Sequence, residues 1–249
     1  MKKWRNLFQK IVDLDNIILA HSKARKGKTD RSDVKMVDKD VIGFCIKIQQ
    51  MLINDTYRTS EYFTFKLYEP KERIIFKLPY YPDRIIHHAI MNILEPLWIN
   101  QMIPQTYSCI KKRGIHKALK DIKRDIKDIE GTKYCLKLDI KKFYPSIDHD
   151  VLKRIIRIKI ADNTLLKLLD HIIDSSEGVP IGNYLSQFFA NLYLSYFDHW
   201  VKEIKQIKYY YRYADDIVIL HHDKQLLHNL FYEINNYIKE LKLTIKKNY

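Results

Sequence analysis

The 249-residue sequence contains few of the residues that mark linkers, disulfide frameworks and zinc sites. Its six glycines and seven prolines form no linker or low-complexity tract. The three cysteines (Cys45, Cys109 and Cys135) show no CxxC spacing, which argues against disulfides and zinc and favours a reducing cytoplasm. No apolar run approaches the roughly 20 residues that span a bilayer. The sequence therefore predicts a cytoplasmic protein without a membrane segment.

Positive charge is in clear excess. The chain has 44 lysines and arginines against 30 acids, a formal net charge of +14. A polyanionic partner, most commonly nucleic acid, is the simplest explanation, and a merely soluble basic protein is the alternative. The 18 tyrosines and 10 phenylalanines fit a nucleic-acid partner, because aromatic rings stack on bases as well as in cores. With 46% hydrophobic residues, the chain is expected to fold.

The first half of the chain predicts helices around one basic hairpin. Residues 1–20 mix acids with apolar side chains, which indicates an amphipathic helix and not a signal peptide, and residues 21–33 predict a charged, solvated loop. The hairpin's basic side chains are Lys66, Lys71, Arg73 and Lys77. Periodicity and turn residues predict, in order, a helix at 38–53, strands at 62–68 and 73–78, and a helix at 83–98.

The second half predicts a sheet with helices. In order, the pattern predicts a strand at 134–139, helices at 148–161 and 183–204, strands at 209–213 and 217–220, a helix that includes 227–241, and a final short strand. This order is typical of an α+β fold in which helices pack on one face of an antiparallel sheet.

Two adjacent carboxylates, Asp215 and Asp216, follow Tyr213-Ala214 between two β-forming runs. They are expected at the tip of a hairpin. An ordinary Asp-rich turn is the alternative, and the short YADD string alone favours it.

A third aspartate, Asp139, ends the strand at 134–139 and can project into a cleft beside that hairpin. Three clustered carboxylates without a cation would repel each other by about 4 kcal/mol per close pair at an intermediate dielectric. Magnesium would remove this penalty, since it binds carboxylate and phosphate oxygens. Two such ions roughly 4 Å apart activate a hydroxyl and stabilise a leaving pyrophosphate, which is polymerase chemistry.

The segment from Gly178 to Gln187 contains Gly182 immediately before a predicted helix. A glycine there would let the backbone approach a nucleotide closely. Taken alone, this segment is more often an ordinary loop that leads into a helix.

Taken in order, these elements resemble the palm motifs of reverse transcriptases. Asp139 matches the first metal-binding aspartate, the Gly182 turn the template and nucleotide motif, and Tyr213 to Asp216 the YxDD box. The segment 74–94 resembles the family's fingers motif and 107–119 the segment that follows it, so the likeness extends over most of the chain from Trp4. It implies a right-hand polymerase with fingers at 1–132 (including part of the palm) and a ferredoxin-like palm at 133–249.

The resemblance also assigns roles. Asp139, Asp215 and Asp216 would be catalytic and, with Ile140, would hold two Mg²⁺ ions. The implied nucleotide-binding residues are Lys71, Arg73, Tyr144, Ile181, Gly182 and Gln187. Among these, Arg73, with Lys71 as the weaker candidate, would grip the triphosphate. Tyr144 falls at the steric gate that favours deoxynucleotides, with a core aromatic as the alternative. Lys246 or Lys247 would approach the leaving pyrophosphate.

The string Ile181-Gly182-Asn183-Tyr184-Leu185-Ser186-Gln187 is the IGxxxSQ form, where most of the family has QGxxxSP. This form is similar to the error-prone enzymes of diversity-generating retroelements; defence-associated and other prokaryotic reverse transcriptases share related motifs. The implied partners are template RNA, a DNA or RNA primer, dNTPs and a small basic helical accessory protein. An apolar Ile181 predicts weaker discrimination against a misplaced base pair.

The sequence stops at Tyr249, directly after the segment that resembles the last palm motifs, so the family's thumb is expected to be missing. A truncated, catalytically weak nucleic-acid-binding protein is therefore an alternative to an active enzyme. An RNA-templated RNA polymerase is a third candidate, which Tyr144 disfavours.

Overall fold

The computed structural model describes residues 3–68 and 72–246. The α-helices are α1 Leu7–Ile11, α2 Leu14–Ala24, α3 Ser32–Asp38, α4 Val41–Ile53, α5 Ile85–Gln101, α6 Ile115–Asp125, α7 His149–Lys159, α8 Asn163–Ile173, α9 Tyr184–Tyr193, α10 Ser195–His199 and α11 Lys224–Glu240. The strands are β1 Phe63–Leu67, β2 Arg73–Lys77, β3 Tyr134–Asp139, β4 Tyr209–Tyr213 and β5 Asp216–His221. Among the described residues, every helix is too short or too polar to traverse a bilayer.

The chain divides into two units. The first contains residues 1–97 and 153–187, and the second contains residues 98–152 and 188–249. The boundary near residue 132 that the family resemblance implies concerns the fingers and palm of a polymerase, and it stays a prediction.

The first unit is mainly helical and contains the basic hairpin that the sequence predicts, strands β1 and β2. Strands β1 and β2 pair antiparallel, with Phe65 opposite Ile75. Asp162 connects two helix starts, because its carboxylate accepts the backbone N–H groups of Leu7 and Phe8 at 2.7 and 2.9 Å and that of Leu165 at 3.1 Å. These are donors that a helix N-terminus cannot satisfy internally.

The second unit is built on an antiparallel sheet in the order β3–β5–β4. A buried cluster made of Tyr107, Tyr209, Tyr211 and Leu220 packs with Ala118 of α6. The α+β class predicted from the sequence is confirmed, because helices accompany small antiparallel sheets.

The prediction for the N-terminal 33 residues is wrong in its details. The expected single helix is divided into α1 and α2, because Asp13 caps α2 by accepting the N–H groups of Asp15 and Asn16. The expected solvated loop begins later than residue 21, since His21 belongs to α2 and is buried. Its Nδ1 lies 2.8 Å from the hydroxyl of Tyr80, so a tertiary contact extends the helix into the charged segment.

The single helix expected at 183–204 is also interrupted. Helix α9 ends at Tyr193, α10 follows, and a π-helical turn occupies Trp200–Ile204. Side chains occupy two carbonyls of the last turn of α9: Arg212 donates to Asn191 and Ser195 donates to Leu192. Helix α8 was not predicted, although Asp162 provides its N-cap.

Candidate active site

Asp139 and Asp216 face each other at one end of the three-stranded sheet. Asp139 is the last residue of β3, Asp216 is the first residue of β5, and the two are partners in the antiparallel register. Directly opposite residues in such a pair have Cβ atoms about 4.5–5.5 Å apart. The sheet thus brings together two carboxylates that are distant in the sequence.

Asp215 lies in the two-residue turn between β4 and β5. Ala214, immediately before it, has a φ of +54°. This left-handed conformation costs a residue with a side chain about 1–2 kcal/mol. The turn therefore needs support from its surroundings, and it places Asp215 next to Asp216.

The three carboxylates interact electrostatically. Burial raises the pKa of Asp215, and the charges of Asp139 and Asp216 raise it further. The backbone N–H of Asp215 and the ammonium of Lys246 oppose this shift. A carboxyl pKa raised by burial and by like charges makes Asp215 a candidate functional residue.

Lys246 reaches this cluster from the last part of the chain that the structure describes. Its Nζ lies 2.5 Å from Oδ2 of Asp139, and its backbone N–H donates to the Asp139 carbonyl at 2.8 Å. The hydrogen bond to Asp139 raises the pKa of Lys246, and the other two carboxylates add to this effect. The adjacent Ile245 forms an antiparallel bridge with Ile140. The backbone of residues 244–246 therefore lies alongside the end of β3.

The donor chemistry of this cluster fits Mg²⁺. Oδ1 of Asp139 is buried and has no hydrogen-bond partner among the described residues, so one hard oxygen is available to a cation. Within residues 3–68 and 72–246, the acids, histidines and cysteines form no ready-made coordination group of three. Ile140 has a buried aliphatic side chain, so only its backbone carbonyl could contact a metal.

Tyr144 lies near Asp215. It begins a short 3-10 turn, Tyr144–Ser146, and its ring packs edge-on against Phe143 with centroids 5.6 Å apart. Burial raises the pKa of Tyr144 above its ordinary value, and the negative charge of Asp215 contributes to the shift. The half-buried ring thus lies within the electrostatic influence of Asp215, and its role as a steric gate stays a prediction.

In the first unit, the Gly182 turn is attached to strand β2. The carbonyl of Ile181 accepts the N–H of Phe76 at 2.7 Å. Gly182 has a φ of +121°, and a Cβ there would lie 2.5 Å from the carbonyl oxygen of Phe76. Only glycine fits this combination of backbone conformation and close approach.

The other predicted nucleotide-binding residues belong to the same unit. Arg73 is the first residue of β2 and is exposed; Ile181 and Gln187 are half-buried. Lys71 lies outside the described residues. The side chain of Arg73 is thus accessible to solvent, and its binding of a phosphate group stays a prediction.

The first unit also contains a cationic cavity of about 40 Å³ that was not predicted from the sequence. It is lined by Arg31, Lys77, Leu78, Arg84, His87, Gly182, Asn183 and Tyr184. Burial lowers the pKa of Arg84, and the charge of Arg31 lowers it further. The buried Nε2 of His87 has no hydrogen-bond partner. The charged segment 21–33 was the available signal, but nothing in the sequence predicts that Arg31 meets Arg84.

The α+β fold, with its small antiparallel sheets, is the class expected of a polymerase of the reverse transcriptase type. The family model for reverse transcriptase (RNA-dependent DNA polymerase) matches residues 69–248, which is more than two-thirds of the chain. The chain belongs to the reverse transcriptase family.

Three curated relatives are similar to parts of the chain. Protein YkfC of Escherichia coli (strain K12) is 23% identical over 186 residues, which are 67% of this chain and 49% of YkfC. Group II intron-encoded protein LtrA of Lactococcus lactis subsp. cremoris is 29% identical over 139 residues, 51% of this chain and 23% of LtrA. An uncharacterized 91 kDa protein in the cob intron of Schizosaccharomyces pombe is 24% identical over 49% of this chain and 16% of its own length. The chain thus spans at most about half the length of these relatives.

Proposed function

We propose that this chain is a magnesium-dependent RNA-directed DNA polymerase whose reaction centre is formed by Asp139, Asp215 and Asp216. The observation that carries the proposal is the antiparallel register that pairs Asp139 with Asp216, next to an Asp215 whose pKa is raised. Membership of the reverse transcriptase family supports the same reaction.

The three carboxylates would hold two Mg²⁺ ions, and the Ile140 carbonyl is a further candidate ligand. When bound, the ions supply activation of the primer 3′-hydroxyl and charge compensation for the leaving pyrophosphate. The protein's own task is positioning. Tyr144 would exclude a ribose 2′-hydroxyl by its bulk, and Lys246 would bring positive charge to the pyrophosphate.

The first unit would bind the incoming nucleotide. The guanidinium of Arg73 would pair with phosphate oxygens, and Lys71 would assist it. Gly182 lies between Ile181 and helix α9, which contains Gln187. Because it has no side chain, its backbone could approach the nucleotide closely. The net charge of +14 supports a template RNA and a primer as partners, with binding that weakens steeply as salt rises.

We propose an error-prone retroelement enzyme as the specific type, on the strength of the IGxxxSQ string at Ile181 to Gln187. A small basic helical accessory protein and a cytoplasmic site of action belong to this proposal. The names of two relatives favour a second candidate, an intron-encoded reverse transcriptase. Sequencing the DNA around the gene decides between them: a template repeat with a variable repeat supports the first, and flanking intron RNA structure supports the second.

The polymerase proposal is tested by primer extension on an RNA template with Mg²⁺ and dNTPs. Asp139→Asn and Asp216→Asn should each lower the rate of primer extension by about a thousandfold or more. Each substitution removes a negative charge that stabilises the transition state through the bound metal. Asp223→Asn is the matched control. Asp223 caps α11 by accepting the N–H groups of Gln225 and Leu226, a role that asparagine also fills. Full extension by Asp216→Asn would refute the proposed centre.

A further inference from the structure

Arg212, on strand β4 two residues before the Ala214–Asp215 turn, forms an ion pair with Asp198 of α10. The side chains of both residues are 0% exposed, and Nη2 lies 2.6 Å from Oδ2. A buried ion pair is weak evidence for stability, since removing two charges from water costs about as much as their attraction returns. The hydrogen bonds around the pair must therefore show what it does.

Every N–H donor of the guanidinium has an acceptor. Nε donates to Asp198 at 2.7 Å and Nη2 to the same carboxylate at 2.6 Å. Asn191 accepts two more, through its side-chain oxygen from Nη1 and through its carbonyl from Nη2, both at 3.2 Å. The fifth bond runs from Nη1 to the carbonyl of Ala214 at 3.0 Å. An arginine has five such donors, and all are used.

The fifth bond connects this network to the catalytic cluster. The Ala214 carbonyl belongs to the same planar peptide as the N–H of Asp215, so fixing one fixes the other. That N–H interacts with the carboxylate of Asp215 itself. Arg212 therefore holds the peptide that orients the Asp215 side chain, at a turn where Ala214 has an unfavourable positive φ.

The anchor itself is rigid. The Asp198 carboxylate also accepts the hydroxyls of Tyr210 at 2.5 Å and Thr106 at 3.2 Å. The backbone of Arg212 is held as well: its N–H donates to the Gln105 carbonyl at 3.0 Å, and its carbonyl accepts the N–H of Tyr107 at 2.9 Å. Movement of the guanidinium would break several hydrogen bonds at once. The Ala214–Asp215 turn is therefore hydrogen-bonded to a side chain whose position is fixed.

We propose that Arg212, held by Asp198, is a positioning residue that sets the Ala214–Asp215 peptide and thereby the metal-binding geometry of the acidic cluster. This inference rests on the proposed polymerase function. The Arg212–Asp198 ion pair would then contribute to catalysis, in addition to any contribution to the stability of the fold.

The test compares three variants of the full chain. Arg212→Lys keeps the charge but loses the planar fork that reaches Asp198, Asn191 and Ala214 together. The double variant Arg212→Met/Asp198→Leu replaces the pair by apolar side chains, an exchange that buried ion pairs often tolerate without loss of folding. Tyr211→Phe is the matched control, since it removes a tyrosine hydroxyl from the same strand, where it donates to Asp125 at 2.6 Å, and leaves the Arg212–Asp198 network intact. Each is measured by thermal unfolding, by Mn²⁺ titration followed by electron paramagnetic resonance, and by primer extension.

We expect Arg212→Lys and the double variant to bind Mn²⁺ about tenfold more weakly and to lose about 100-fold in kcat, the scale on which a misplaced catalytic group acts. KM for dNTP should stay near the wild-type value, and Tyr211→Phe should match the wild type in Mn²⁺ affinity and kcat. Wild-type Mn²⁺ affinity and kcat in either folded Arg212 variant would overturn the inference. If the wild type itself extends no primer, the polymerase proposal fails, while the Mn²⁺ titration still decides the role of Arg212.

Discussion

Lys246 places its ammonium nitrogen 2.5 Å from Oδ2 of Asp139, the carboxylate that faces Asp216 across the sheet. The lysine thus neutralises one of the residues proposed to hold Mg²⁺. A metal ion that binds Asp139 must compete with this ion pair or force the lysine to move. The same lysine would then be released close to the reacting phosphates.

This competition predicts that Lys246→Gln binds divalent metal more tightly in the absence of nucleotide. Because Lys246 is partly exposed and such pairs are worth about 0–1 kcal/mol, the half-saturating Mn²⁺ concentration should fall by about two- to fivefold. Lys242→Gln is the control: it removes a similar charge from the same segment, but its ammonium pairs with Asp148 at 2.6 Å. Equal Mn²⁺ affinity in the wild type and Lys246→Gln would contradict direct competition.

The pKa of Asp215 predicts a pH-dependent gain in stability for Asp215→Asn in metal-free protein. Its folded-state pKa is raised, chiefly by burial, so ionised Asp215 destabilises the fold above that pKa. The penalty disappears as pH falls below the ordinary value of 3.8. Asp215→Asn should therefore melt above the wild type at pH 8, and the difference should shrink towards pH 4.

Asp223→Asn is the control for this measurement, because the pKa of Asp223 is shifted in the direction opposite to that of Asp215. Backbone N–H groups, led by that of Leu226, lower the pKa of Asp223, so its ionised form stabilises the fold above pH 3.8. The variant should show no gain in melting temperature at pH 8. A gain in both variants would mean that net charge, and not the site, determines the effect.

The arrangement of the acidic cluster could be predicted from the sequence because each part has a local signal. The alternating pattern before Asp139 and the aromatic strand before Ala214 predict strands that end at carboxylates, and antiparallel strand ends meet. Whether these residues bind metal stays a prediction. The resemblance implied that Lys246 or Lys247 would approach the pyrophosphate, which stays a prediction; it did not predict the ion pair of Lys246 with Asp139, and Lys247 lies outside the described residues.

The network of Arg212 was not predictable. Arginine in a strand normally indicates an exposed position, and the partner Asp198 lies in a segment that was expected to be one continuous helix. At the interruption near Leu194, the Arg212 side chain arrives from β4 and occupies the Asn191 carbonyl, a contact that no periodicity within residues 183–204 could predict. Tertiary contacts override local propensity here.

The position of Tyr144 beside Asp215 predicts its role in sugar selection. Tyr144→Ala should incorporate ribonucleotides about 10- to 100-fold more efficiently relative to deoxynucleotides, because the ring that would crowd a 2′-hydroxyl is removed. Single-nucleotide extension with matched rNTP and dNTP gives the ratio. Tyr144→Phe is the control and should keep the wild-type preference. If Tyr144→Ala keeps it as well, Tyr144 is only a core aromatic.

Gly182 predicts a local loss of stability on substitution. Gly182→Ala should lower the free energy of unfolding by about 1–3 kcal/mol, since φ is +121° and the new Cβ would lie 2.5 Å from the Phe76 carbonyl oxygen. Gly27→Ala is the comparison, because Gly27 also has a positive φ (+68°) but no atom within 4 Å of a new Cβ. Urea unfolding of both variants separates the clash from backbone strain. If both variants lose the same free energy of unfolding, the close contact between the new Cβ and Phe76 contributes nothing to the destabilisation.

Ile181 predicts the error spectrum of the enzyme. An aliphatic side chain before the Gly182 turn can offer no hydrogen bond near a nucleotide, and apolar sites discriminate less well than polar ones. Ile181→Gln should therefore lower misincorporation opposite template adenines by about tenfold, measured by sequencing cDNA copied from a defined RNA. Because the main-chain carbonyl of residue 181 makes the bond to Phe76, the substitution should leave the turn intact. Ile181→Leu controls for changes in packing and should keep the wild-type error rate. Adenine errors that persist unchanged in Ile181→Gln would remove the physical basis for assigning the chain to an error-prone retroelement.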